Sequence, residues 1–172
     1  MNAAKNKGKA FERDICHFLE PIFGVTFCRV PCSGSITGGV NSVRGKTLTQ
    51  NQQLLLTGDI IMPSELDKFA IEAKFYKDFS FSSLFQNNKQ LDGWINQARG
   101  TQKIWFLMFK VNGLGVHIVF DRKLEKVYEI PGNYMFYKDC IITYLDGFFE
   151  KNKDNILKLN VSQFTTTPTL SS

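Results

Sequence analysis

Residues 57–75 read TGDIIMPSELDKFAIEAKF, and the rest of the chain is organised around them. Runs 58–62 and 69–75 are rich in strand-forming residues, and Pro63, Ser64, Asp67 and Lys68 between them favour a turn. The pattern predicts a β-hairpin. A turn that pairs Met62 with Phe69 sets Ile60 opposite Ile71 and Asp59 opposite Glu72, with Cβ atoms about 4.5–5.5 Å apart on one face. Alternation puts Lys74 on that face as well, while Phe69, Ile71, Ala73 and Phe75 point to the other with Ile60 and Met62. One face is apolar and the other carries acid, acid and lysine.

Carboxylates that face each other across a ladder repel unless a charge offsets them. A divalent cation does so, and oxygen ligands at this spacing suit Mg²⁺, which takes one or two carboxylates and completes its shell with water and substrate phosphate. Lys74 beside it would meet a phosphate or the attacking water. In the plain alternative Asp59 caps a strand, Glu72 and Lys74 form a solvated edge pair, and no metal binds. The tripeptide Glu-Ala-Lys alone fits that alternative; the aligned Asp59 turns the reading toward a metal site.

The chain has 172 residues, the length of one domain with a sizeable core. Its 43% hydrophobic and 22% charged residues are those of an ordinary soluble globule. A net charge of +5 fits a polyanionic partner. No apolar run reaches the roughly 18–20 residues of a membrane span, and the start MNAAKNKGKAFERD lacks the pattern of a signal peptide, so the expected location is the cytoplasm. Cys16, Cys28, Cys32 and Cys140 form no CxxC pair, which argues against zinc and for reduced core or near-core thiols. With only His17 and His117, a Ser-His-Asp triad or a histidine metal site is a poor fit.

Lys5, Lys7 and Lys9 make a basic start that either frays or touches phosphate. From Ala10, Phe11, Ile15, Phe18, Leu19 and Ile22 recur at helical spacing, and Pro21 and Gly24 help end the helix. Glu12 lies on the flank of its apolar stripe. Residues 25–30 read as a strand carrying Arg29, followed by Pro31 and a turn holding Ser33 and Ser35. Residues 36–56, with Arg44 and Lys46 their only charges, read as a long loop or irregular hairpin. Ser80–Ser83 offers an N-cap for one helix, or a turn plus a helix, that closes near Gly100. The run IWFLMFK at 104–110 predicts a strand buried on both faces, and a turn at 112–115 leads into a strand at 116–120. A further short strand is expected at 126–130, a last helix at 138–150 and a loose tail at 161–172. The order predicts an α/β domain over 1–160, a central mixed β-sheet flanked by helices.

With Glu12, Asp59, Glu72 and Lys74 in place, the chain resembles the PD-(D/E)XK nuclease superfamily and, within it, archaeal-type Holliday-junction resolvases. The likeness runs from KGKAFERDICHFLE through FCRVPCSGS, GDII and FAIEAKF to IWFLMFKVNGLGVHIVF, most of residues 7–120. Gly58 stands where the superfamily name has proline, and 36–56 has no counterpart in the compact resolvases. The resemblance implies a restriction-endonuclease-like fold, metal ligands at Asp59 and Glu72, a further acid at Glu12 and a catalytic Lys74. On this basis Asp59, Glu72 and the Ala73 carbonyl are expected to hold Mg²⁺, with Glu12 nearer a second ion or ordered water. The resemblance assigns phosphate or junction contacts to Arg29 and to Ser33 or Ser35; Lys5, Lys7, Lys9, Arg13, Arg44 and Lys46 are candidate DNA contacts by charge. The expected protein is a Mg²⁺-dependent endonuclease, with Mn²⁺ able to substitute, that nicks four-way DNA junctions as a homodimer. A restriction- or repair-type duplex nuclease and a non-catalytic junction-binding module are the alternatives. Asp121 and Lys123 repeat the acid-x-lysine spacing without a partner acid and read as a turn, and Trp94 and Trp105 read as core rather than as base-stacking platforms.

Overall fold

A computed structural model describes the backbone of residues 3–31 and 57–159 and the side chains of 6–31 and 57–159. Ser33, Ser35, Arg44, Lys46, the 36–56 stretch, the 161–172 tail and the side chain of Lys5 lie outside the described residues. Helix α1 (Ala3–Phe23) buries Phe11, Ile15 and Leu19 along one stripe. It begins at Ala3 rather than Ala10, so the lysine-rich start is helical and not a frayed end. Pro21 sits inside the last turn instead of stopping it. The stop falls at Gly24, whose φ of +72° lets its N–H reach the Glu20 carbonyl at 2.8 Å.

The hairpin expected at 57–75 does not form. β1 is only Cys28–Arg29, and it pairs antiparallel with β2 (Ile60–Ile61), Cys28 opposite Ile61 and Arg29 opposite Ile60. The link after β2 is a 3-10 turn, Ser64–Leu66, whose Leu66 is buried in the core. That burial takes up the residues a tight turn would need. β3 (Phe69–Tyr76) instead pairs in parallel with β4 (Ile104–Val111), and α2 (Lys89–Arg99) makes the crossover between them. β4 pairs antiparallel with β5 (Gly115–Asp121), which pairs with β7 (Cys140–Tyr144), and β6 (Tyr134–Tyr137) closes the far edge. The five-stranded sheet thus runs β3-β4-β5-β7-β6. α1 and α3 (Phe148–Lys158) cover the face that carries Phe69, Ile71, Phe106 and Ile118; α2 covers the face that carries Trp105, Leu107 and Phe109. This mixed sheet between helices is the architecture read from the sequence.

α2 starts at Asn88, whose side chain accepts the Leu91 N–H at 2.9 Å, while Ser80 precedes a separate 3-10 turn, Phe81–Phe85. Residues 126–130 are not a strand; they place Tyr128 against Phe106, Phe120 and Phe148 in the core. Residues 138–150 are not a helix either, since Cys140–Tyr144 is a sheet strand and α3 begins only after Gly147, at φ +73°. Trp94 and Trp105 are buried, and Asp121 caps a turn by accepting the Lys123 N–H at 2.9 Å. Cys16 and Cys140 are buried, but Cys28 is exposed. Among the described residues, no helix is long and apolar enough to cross a membrane.

Candidate active site

Asp59 meets Glu72 although the hairpin is absent. Its backbone is held from both sides: the Asp59 N–H donates to the Ile71 carbonyl at 2.8 Å, and its carbonyl accepts the Val30 N–H at 2.9 Å. One step further the side chain replaces the backbone, and Oδ2 accepts the Ala73 N–H at 2.9 Å. The acid is therefore fixed on the open edge of β3, opposite β4. Gly58 makes this approach possible. At φ +82°, a Cβ on it would stand 2.8 Å from the Ile71 carbonyl oxygen, so neither proline nor any other side chain fits. In an extended strand the N–H and C=O of one residue point to the same side, so the Ala73 carbonyl also faces the Asp59 edge.

Glu72 and Lys74 project from β3 toward α2. Lys74 Nζ lies 3.2 Å from Glu72 Oε2 and 3.8 Å from Asp59 Oδ2, bridging the two acids. Asp59 is 7% exposed and Glu72 4%, which removes the solvated edge pair from consideration. Burial, then the charge of Asp59, pushes the Glu72 carboxyl up to about 7 against the opposing pull of Lys74. One ammonium does not balance two buried carboxylates.

The sequence places Gln97 near the end of a helix and gives it no role. From the last turn of α2 its side-chain amide donates to Glu72 Oε2 at 2.7 Å, the same oxygen that Lys74 reaches. A polar residue on an exposed helix flank, 25 positions from its partner, reads as solvent-facing. The available signal was its place beside Ala98 and one turn after Trp94, at the border of the buried stripe.

Glu12 is buried on α1, but Arg29 holds it: the guanidinium Nε donates to Glu12 Oε2 at 2.8 Å. Among the described residues no group of three or more His, Cys, Asp and Glu side chains converges, so Glu12 does not join Asp59 and Glu72 in one cluster. Lys7, Lys9 and Arg13 are exposed on α1. The donors around the acid pair converge on Asp59 Oδ2 and Glu72 Oε2. Carboxylate oxygens with a neighbouring backbone carbonyl are the hard donor set that Mg²⁺ prefers, and the surplus negative charge of the pair is what a cation would offset.

A strand-borne Glu-x-Lys beside an aspartate on the sheet edge, in a mixed sheet between helices, defines a PD-(D/E)XK nuclease of restriction-endonuclease-like fold. Residues 3–169 match the family described as "Phage putative PDDEXK endonuclease", and the chain belongs to it. No curated protein matches the chain. Among solved structures it is similar to Hjc, a Holliday junction resolvase of the archaeal hyperthermophile Archaeoglobus fulgidus. The identity is 15%, over 83% of this chain and 87% of that one, with a TM-score of 0.35.

Proposed function

We propose that this nuclease is a Mg²⁺-dependent DNA endonuclease that hydrolyses phosphodiesters at Asp59, Glu72 and Lys74, and that its substrate is the four-way junction. The observation that carries the hydrolytic reading is the buried acid pair bridged by one lysine. Asp59, Glu72 and the Ala73 carbonyl would hold Mg²⁺, with Mn²⁺ able to take its place. When bound, such an ion supplies Lewis acidity toward the phosphodiester and acidifies water. Lys74 orients the attacking water and offsets charge on the phosphate as it becomes more negative. Gln97 and Lys74, donating to one oxygen of Glu72, fix that carboxylate's rotamer. Arg29, kept beside the acid pair's strand by Glu12, stands ready for a flanking phosphate.

The junction assignment is supported by the resemblance of residues 7–120 to junction resolvases. Symmetric nicking calls for two sites related by a twofold axis, and hence for a homodimer. The test compares Mg²⁺-dependent cleavage of a synthetic four-way junction with cleavage of linear duplexes built from the same strands, by wild type and Glu72→Ala. Paired nicks in the junction alone, lost in the variant, are expected. Equal cutting of the duplexes would replace the junction assignment with a duplex endonuclease.

A further inference from the structure

Phe75 follows Lys74 and carries its ring to the other face of β3, where it meets Phe11 of α1 edge-on at 6.3 Å between centroids. Two ammonium groups converge on these rings. Lys110 Nζ is 5.9 Å from the centroids of both Phe11 and Phe75, and Lys7 Nζ is 5.8 Å from that of Phe75. Sequence spacing and strand register build the arrangement. Lys7 and Phe11 are four apart on α1, one above the other, and Phe75 and Lys110 are direct partners across β3 and β4.

A lysine lying on an aromatic ring is ordinary packing on its own. Here a second lysine joins it on the same ring, and among the described residues neither pairs with a carboxylate. Two ammonium groups within reach of one ring, with no acid among the described residues to balance them, make a basic patch that an anion offsets. The rings hold each ammonium from one side and leave N–H donors on the other. Phe75 and Lys110 stand one residue before the C-terminal ends of two parallel strands, where ligands of α/β folds gather, on the face of β3 opposite the one that Glu72 and Lys74 take.

We propose that Lys7 and Lys110, gathered at the Phe11–Phe75 ring pair, form a second phosphate site that grips a non-scissile phosphodiester of the nucleic acid, on the other face of β3 from the bond that is cut. The proposal rests on the nuclease reading for the identity of the polyanion. It makes Lys110, a residue inside a strand that otherwise reads as core, a DNA contact.

The test uses the full chain carrying Glu72→Ala to prevent cleavage, and titrates labelled four-way junction and duplex DNA over a series of salt concentrations. Lys110→Ala and Lys7→Ala are each expected to weaken binding about 3- to 10-fold and to lower the salt slope by about 0.9, the value of one lost phosphate contact. Lys110→Arg restores both. Lys151→Ala, whose ammonium pairs with Glu129, leaves them unchanged. In the cleaving enzyme the loss falls on KM rather than kcat. An unchanged slope in variants that melt cooperatively overturns the proposal, as does a loss confined to kcat. Should Lys110→Ala not fold, Lys110→Gln and Lys7→Ala carry the same comparison. Binding with the lowered slope but no cleavage by wild type would overturn the nuclease reading and keep the phosphate site. Cleavage with an unchanged slope would do the reverse, and absence of DNA binding would overturn both.

Discussion

Glu72 carries its charge where burial and Asp59 both oppose it, and the cost is measurable. Its folded pKa lies above the ordinary 4.5, so between about 4.5 and about 7 the folded chain binds more protons than the unfolded one. Stability from this group therefore falls as pH rises through that window. In metal-free buffer the stability of Glu72→Gln relative to wild type should rise between pH 4.5 and pH 8. Denaturant melts at the two pH values check this, and an equal gap at both would contradict it. Added Mg²⁺ should raise the wild-type Tm and leave that of Glu72→Gln in place. Gln97→Ala, which frees the Glu72 rotamer, should slow cleavage about tenfold with DNA affinity retained, read by single-turnover rates beside binding titrations. At this scale Asp59, Glu72 and Lys74 were legible because they lie within 16 residues of one another and Glu72 and Lys74 share the alternation of one strand. Gln97 was not, because only the packing of α2 on β3 brings it to Glu72.

The element that carries Asp59 shows how a correct residue pairing came from an incorrect register. The hairpin placed Asp59 opposite Glu72 by direct ladder pairing. The protein places it there by stopping the ladder: the Asp59 side chain accepts the Ala73 N–H, and β2 pairs with β1 instead. Gly58 was noted only as a departure from proline, although its absent side chain is what lets the backbones touch. Gly58→Ala should cost about 1–3 kcal/mol through strain at positive φ and contact with the Ile71 carbonyl. It should also lower cleavage by displacing Asp59; thermal melts and cleavage rates like wild type would contradict the close approach. The C-terminal third misled for a different reason. Ile141, Ile142, Leu145, Phe148 and Phe149 fit a helical stripe, yet Gly147 divides a short β-branched strand from the helix that follows. A five-residue apolar run does not distinguish strand from helix by periodicity.

Across the molecule, the sheet is the scaffold that makes the site rigid. The run at 104–110 announced its central strand, because a strand covered by helices on both faces has no polar alternation to hide it. The edge order was not readable, since β6 and β7 reverse their sequence order in the sheet. His117 lies on β5 between the rings of Phe109, Phe81 and Tyr144, with no partner for Nδ1 among the described residues, and burial lowers its pKa from 6.5. Below about pH 6.5 the unfolded chain binds this proton first, so stability falls as pH drops through that value toward the lower folded pKa. His117→Phe should flatten that part of the stability curve; an unchanged acid slope would show that another group carries it.

On the proposed function Lys74, bridging Asp59 and Glu72, serves the chemistry rather than the grip on DNA. Single-turnover cleavage of a labelled four-way junction in Mg²⁺ by wild type and Lys74→Ala, with affinities measured alongside, tests it most directly. The expected rate is lower by about 10³-fold in the variant, the order of a lost charge stabiliser, with affinity within a few-fold. Equal losses of rate and affinity, or cleavage that persists without Lys74, would contradict it.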